Sequence, residues 1–294
     1  MTGADARTNT AAPDGTRTMP TESAPATGRT SRARSGNRSG IGAMLGRMGL
    51  GAAGFAVVIA AWQLMAVGEI FGEGLLPTPV EVGRVIVDGL GDGLLDDLLI
   101  SFRRVLVGVG LGLAIATPIG FVLGWFGIAR AMFNPLVNFL RALPPIALVP
   151  LVIVYFGIGE LSRGIVLVWA AFFATIVIVY EGVASLEEKY VRAAQTLGAN
   201  RFEILTKVVF PLSVPHIMTA ARVSLGIGWA SLVAAELVAA QQGLGAVIQN
   251  ASNFLDIPTV YAGIVLIGIS ALVMDVGIRM LSAYVVRWQD RGTR

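Results

Sequence analysis

Six stretches of this chain are long and apolar enough to cross a bilayer, and they constrain the fold more than any other feature. They cover residues 50–70, 105–126, 135–156, 165–183, 217–239 and 260–281, each near the length a tilted helix needs to cross a hydrocarbon core of about 30 Å. Only 14% of the residues are charged, against about 25% in a soluble domain. The expected fold is therefore an all-α integral membrane protein of about six transmembrane helices, with a single membrane domain over residues 41–294. The third stretch is irregular: Arg141, Pro144 and Pro145 interrupt it and predict a kinked or broken helix.

Residues 1–40 are rich in Thr, Ser, Ala, Gly, Pro and Arg and almost devoid of large apolar side chains. Such a segment cannot bury enough surface to fold, so a disordered, basic, cytoplasmic arm is expected. The first apolar stretch begins too deep in the chain for a cleavable signal peptide. Arg29, Arg32, Arg34, Arg38 and Arg47 precede the first span, and Arg287, Arg291 and Arg294 follow the last. This bias predicts two cytoplasmic termini. Residues 71–100, where Glu73, Glu81, Asp88, Asp92, Asp96 and Asp97 face Arg84, then fall outside. Residues 184–213, with Lys189, Arg192, Arg201 and Lys207, fall inside. The outer segment LLPTPVEVGRVIVDGL reads as a short amphipathic stretch lying along the membrane face. The basic isoelectric point, near 9.6, thus reflects orientation in a membrane rather than binding of nucleic acid.

Several chemistries are excluded. The chain has no cysteine and one histidine, His216, so disulfides, thiolate metal sites, a thiol nucleophile and poly-histidine clusters are ruled out. A phosphate-cradling G-x-x-x-x-G-K-[ST] loop is missing, since Lys189 and Lys207 stand in no such setting. Gly108, Gly110, Gly112, Gly120 and Gly124 sit inside an apolar span, where small residues let helices approach. No Ser/His/Asp or metal-ligand cluster converges in the spans, which argues against an intramembrane enzyme.

Charges at membrane depth cost about 2.5–3.5 kcal/mol each at a helix centre, so each is a functional candidate. Asp275 and Arg279, four apart on one helix, are expected to pair or snorkel. Arg222 pairs with a loop carboxylate or meets solute. Glu236 fixes a neighbouring helix or loop more readily than it binds an anion. Arg103 and Arg104 are expected to pair with Asp96 or Asp97. Arg141, beside the Pro144–Pro145 break, either lines a path for a small anion or snorkels to the cytoplasmic end of its span.

The inner loop, EEKYVRAAQTLGANRFEILTKVVFPLSVPHI, is too polar to span. It nevertheless shows helical apolar spacing at Val191, Ala194 and Leu197 and, after a turn, at Phe202, Leu205 and Val209. Two short helices are implied, with Gly198 at a left-handed or close-approach position between them and Pro211 stopping the second.

This loop resembles the cytoplasmic coupling motif of the permeases of ATP-binding cassette (ABC) importers, Glu-Ala-Ala, three residues, Gly, nine residues, Ile-x-Leu-Pro. Ala193, Ala194, Gly198 and Pro211 match; Arg192 replaces the glutamate, and Val208, Val209 and Phe210 precede the proline. The segments LLPTPVEV, SFRRVLVGVGLG through FLRALPPIALVPLVIVYFGIGE, and WASLVAAELVAAQQGLGAVIQNA resemble the nitrate, sulfonate and taurine branch of that family. The resemblance implies a type I importer permease with a coupling loop over about residues 184–213, working as a homodimer in a bacterial cell membrane. It also implies two copies of an ABC ATPase that hold ATP and magnesium, leaving no cofactor in this chain, and an extracytoplasmic solute-binding protein. Residues 190–207 would transmit force. Arg141, Pro144, Pro145, Ser224, Ser231 and Glu236 would line the pathway. Taurine or another sulfonate is the first expectation for the solute; nitrate, bicarbonate or a heterocyclic precursor is the alternative. A secondary transporter driven by an ion gradient is the rival from another class, and would need mid-membrane carboxylates, for which Glu236 and Asp275 are the candidates.

Overall fold

The computed structural model describes residues 40–70, 72 and 74–286. The expected arm at residues 1–39 and the arginines at 287, 291 and 294 lie outside the described residues. The chain falls into two units, Met1–Ala53 and Gly54–Arg294. Of the first, the helical backbone from Gly40 onward is described; the second holds the membrane bundle.

The described elements are all helical. In order they are α1 (Gly40–Val67), α2 (Pro79–Gly89), α3 (Leu94–Trp125), α4 (Gly127–Arg141), α5 (Pro145–Phe156), α6 (Glu160–Ala184), α7 (Glu188–Thr196), α8 (Arg201–Ile204), a π-helical turn (Leu205–Val209), α9 (Phe210–Ala239), α10 (Leu244–Asn253) and α11 (Ile257–Val285). Among the described residues four helical stretches are long and apolar enough to span, Leu94–Trp125, Glu160–Ala184, Arg201–Val238 and Ile257–Val285. The bent pair α4 and α5 makes a fifth if it is one span. The first of the six expected spans shows only a shorter apolar helix, Ala53–Val67, among those residues.

The break in the third span follows from proline geometry. Pro145 disfavours helical dihedrals at the residue before it, so Pro144 is extended at φ −61°, ψ 128°. The two helices consequently meet at 87°.

The core pair is α3 against α6. Gly108, Gly112, Gly120 and Gly124 recur at multiples of four and so share one face of α3. There they receive Leu167, Ala171, Val179 and Val183, which are spaced in the same way along α6. The two helices therefore run parallel. Van der Waals contact over such small residues drives helix association where lipid removes the hydrophobic incentive. Gly110 is the exception, because a Cβ there would meet nothing within 4 Å. At Gly112 a Cβ would lie 2.6 Å from Ala171 Cβ and 3.0 Å from the Val168 carbonyl. Gly112→Leu is thus expected to cost about 1–3 kcal/mol through overpacking, while Gly110→Ala is expected to stabilise by up to about 1 kcal/mol; thermal denaturation in detergent compares the two.

α9 runs back against α6, with Thr175 Oγ1 and Ser224 Oγ 2.8 Å apart and His216 packed on Gly182. α10 and α11 close the bundle around Trp229, Leu232, Leu244 and Leu266. One end of the bundle gathers Ser101, Arg104, Glu160 and Glu236. The other gathers Val183, Ala194, Ile204 and Val209.

α2 begins with a capping box, Thr78 Oγ1 accepting from the Glu81 N–H and Glu81 accepting from the Thr78 N–H. The amphipathic reading of this segment corresponds to that helix. α3 starts at Leu94, well before the expected start at 105. Hydropathy stops at Arg103 and Arg104, but the Arg104 charge is matched inside the protein, so the helix continues through it.

Candidate functional site

Three constellations carry the sequence candidates. The first is the segment after α6. α7 ends in a Schellman turn: the Gly198 N–H donates to Gln195 O at 2.9 Å and the Ala199 N–H to Ala194 O at 3.1 Å. Gly198 has φ +82°, and a Cβ there would meet nothing within 4 Å. Of the two roles expected for it, the left-handed turn is the one observed. α8 opens with a second capping box, Asn200 Oδ1 accepting from the Glu203 N–H at 2.8 Å and Glu203 accepting from the Asn200 N–H.

Ala194 is buried against Val179, Val183, Ile204 and Val209, whereas Ala193 and Arg192 are exposed. Arg192 pairs with Glu188 at 2.6 Å, on the face away from the bundle. The Glu187 carboxylate beside Lys189 raises that amine above its ordinary value.

The structure corrects two local expectations. Leu197 and Phe202, counted on the apolar face, are 88% and 73% exposed. Steps of three residues fall about 60° short of a full turn each, so the row from Val191 through Ala194 rotates off the bundle by Leu197. Pro211 does not stop a helix; it lies at the start of α9, directly after the π-helical turn, within one continuous helical stretch. The π-helical turn, with the Phe210 N–H donating to Leu205 O, carries the chain into α9 without a break.

The second constellation surrounds the broken span. Arg141, Leu143 and Pro145 share a cavity of about 310 Å³ with Trp169, Phe173 and Ala174 of α6 and Val223 and Ile227 of α9. These partners lie half-way along their helices, so Arg141, the exposed last residue of α4, stands at mid-height of the bundle rather than at the end of a span. Among the described residues no carboxylate accepts a hydrogen bond from it. Trp169 and Phe173, ring centroids 4.7 Å apart, form an aromatic wall that the sequence reading missed. Their spacing of four on α6 was the available signal.

The third constellation takes up Glu236, which is 1% exposed. Its carboxylate accepts from Ser101 Oγ at 2.9 and 3.0 Å, from Arg104 Nη1 at 2.7 Å and from the Gly245 N–H at 2.9 Å. Arg104 also donates from Nε to Glu160 at 2.9 Å and from Nη1 to Gln242 O at 2.7 Å. The Gly243 and Leu244 N–H groups donate to Asp97 and Ser101. The open N–H groups at the start of α10 are thus satisfied by side chains of α3 and α9. Arg104 therefore pairs with Glu160 and Glu236 rather than with Asp96 or Asp97, and Asp97 serves α10. Ser224 is fully buried, bonded to Thr175 and the Ala171 carbonyl. Ser231 donates to Ile227 O at 2.8 Å. In this conformation Ser224, Ser231 and Glu236 face helix partners, and only Arg141, Pro144 and Pro145 belong to the break and its cavity. Arg222 binds Asp275 at 2.8 Å on α11, not a loop carboxylate, and Arg279 completes that cluster from the same helix.

Comparison with known proteins adds the following. Residues 108–287 match the family model described as binding-protein-dependent transport system inner membrane component. A probable ABC transporter permease protein of Brucella abortus (strain 2308) is 41% identical over 251 residues, covering 85% of this chain and 99% of that one. The taurine transport system permease protein TauC of Escherichia coli (strain K12) is 35% identical over 240 residues, covering 79% and 87%. Among solved structures, an inward-facing MetNI methionine ABC transporter superposes with a TM-score of 0.60 at 19% identity, covering 67% of this chain and 97% of that one. At that identity the likeness concerns the fold.

Proposed function

The chain belongs to the family of binding-protein-dependent transport system inner membrane components, and from that premise we propose that it carries a small organic anion, taurine or another sulfonate, through the membrane. It is a multi-pass permease of the ABC importer class, a transport component and not an enzyme. Nitrate, bicarbonate or a heterocyclic precursor is the alternative solute within the same class.

The observation that carries the anion reading is Arg141. A cation at mid-bundle, without a hydrogen-bonded carboxylate among the described residues and walled by Trp169 and Phe173, is poised to receive an anion of the size of its cavity. The likeness to a taurine permease supports the same solute class. In this proposal the Pro144–Pro145 break supplies backbone groups to the path. Ser224, Ser231 and Glu236 reach the path only if the helices separate during the cycle.

Two permease copies form the pathway, and two ATPase subunits, holding ATP and magnesium, dock on α7 and α8. A solute-binding protein docks at the opposite end. Both termini and residues 184–213 face the cytoplasm, as the arginine bias indicates. Leu197 and Phe202, standing out on either side of Gly198, are the apolar anchors that an ATPase cleft would take up. An ion-gradient mechanism is disfavoured, because Glu236 and Asp275 are both held by arginines.

The test is uptake into proteoliposomes containing the permease, its ATPase and its binding protein. Taurine should stimulate ATP hydrolysis and accumulate, and no stimulation by any sulfonate would defeat the solute assignment. Arg141→Gln is expected to lower uptake about tenfold or more, the equivalent of one charge-assisted hydrogen bond, with the midpoint of thermal denaturation unchanged.

A further inference from the structure

We propose that the groove between α3 and α6 holds one acyl chain of an anionic phospholipid whose phosphate is bound by Arg103. The groove encloses about 850 Å³ and is lined by Val107 and Leu111 of α3 and by Leu161, Gly164, Val168 and Phe172 of α6. Val107, Leu111 and Leu161 are 53%, 51% and 62% exposed, on two helices that are long and apolar enough to span.

Three features specify a lipid as the occupant. The first is length: from Glu160 to Phe172 the groove follows α6 for about 18 Å at 1.5 Å per residue, close to the roughly 15 Å of one leaflet. The second is Gly164. The glycines on α3 at 108, 112, 120 and 124 are explained by side chains of α6; a Cβ at Gly164, as at Gly110, would meet nothing within 4 Å, and of these two only Gly164 lines the groove. Glycine inside a helix costs about 1 kcal/mol relative to alanine, and among the described residues no group takes the space it leaves. The third is charge. At the mouth of the groove Arg104 and Arg163 are paired with Glu160, and Arg104 also with Glu236. Arg103 adds a third positive charge within electrostatic reach of Glu160, and among the described residues no carboxylate accepts a hydrogen bond from it. These charges mark the headgroup level, and the excess cation stands where a phosphate would lie. The half-exposed Glu160 carboxylate does not repel that phosphate strongly, because two guanidinium groups hold it.

Native mass spectrometry of the full-length chain tests the proposal, first as purified and then after delipidation and addition of phosphatidylglycerol or phosphatidylcholine. The wild type should retain phospholipid and favour phosphatidylglycerol by about fivefold, the attraction of one basic residue for an anionic lipid. Gly164→Phe, whose Cβ meets no described atom within 4 Å and whose ring would occupy the groove, should abolish retention. Arg103→Gln should keep retention but lose the headgroup preference. Excess inorganic phosphate should not displace the lipid. Retention by Gly164→Phe equal to wild type, no headgroup preference in the wild type, or an unchanged preference in Arg103→Gln would each overturn the proposal. So would displacement by phosphate, which would make Arg103 a site for the free ion. A dimer that becomes monomeric on Gly164→Phe would assign the groove to a second copy and equally overturn it. If Gly164→Phe fails to fold, the Arg103→Gln comparison decides alone.

Discussion

Replacing Arg104 with alanine should destabilise the folded chain by about 3–5 kcal/mol, the usual result of removing one partner from a buried ion pair. The side chains of Arg104 and Glu236 are 6% and 0% exposed. Among the described residues, loss of the guanidinium leaves the Glu236 carboxylate with only Ser101 and the Gly245 N–H as donors. It also releases the Gln242 carbonyl and so loosens the turn into α10. Glu236→Ala should cost a similar amount, for it strands Arg104 and frees both Ser101 and the Gly245 N–H. The double replacement Arg104→Met with Glu236→Leu should recover much of the loss, because two apolar groups leave no unpaired charge. Denaturant titration of the three variants in detergent measures this. An Arg104→Ala protein as stable as wild type would show that the cluster contributes nothing to the fold.

The second large effect is expected at the turn after α7. Gly198→Val places a β-branched residue at φ +82°, where an L-residue is strained by about 1–2 kcal/mol. A Cβ there meets no described atom within 4 Å, so the bundle persists while the turn relaxes toward another conformation. Leu197 and Phe202 then lose their relative placement. ATP hydrolysis should continue with uptake reduced to near background. In a separate variant, Leu197→Ala with Phe202→Ala, truncation of two exposed anchors should weaken association of the ATPase. A single interface hot spot is worth about 2 kcal/mol or more, which is about thirtyfold in affinity. Co-purification and coupled transport assays read both effects. Normal uptake by the Gly198 variant would remove α7 and α8 from the docking role. Because the altered side chains project from the bundle, unchanged denaturation midpoints would separate a coupling defect from misfolding.

Much of the site was legible where the relevant physics is local. A proline pair restricts its own dihedrals and those of the residue before it, so the break at Pro144 could be read directly. A glycine between two short amphipathic stretches announces a left-handed helix end, and Gly198 adopts one. Glycines at multiples of four declare a packing face, although Gly110, off that face, was grouped with them. Exposure of Leu197 and Phe202 was not legible. Apolar residues at roughly helical spacing read as buried, and the drift of a three-residue step together with the capped turn carries them into the open.

The amino-acid sequence by itself determined the all-helical membrane fold, where the third apolar stretch breaks, where the segment after α6 turns, and to which family the chain belongs. Hydropathy, dihedral restriction and capping act over a few residues, so they can be read in one pass along the chain. Only the tertiary structure decided where the buried charges go. Arg104 meets carboxylates 56 and 132 positions away, and Arg222 meets one 53 positions away. Coulomb attraction in a low-dielectric interior selects partners by distance in space, and neighbours in sequence such as Asp96 and Asp97 lose to groups that helix packing brings within hydrogen-bond reach.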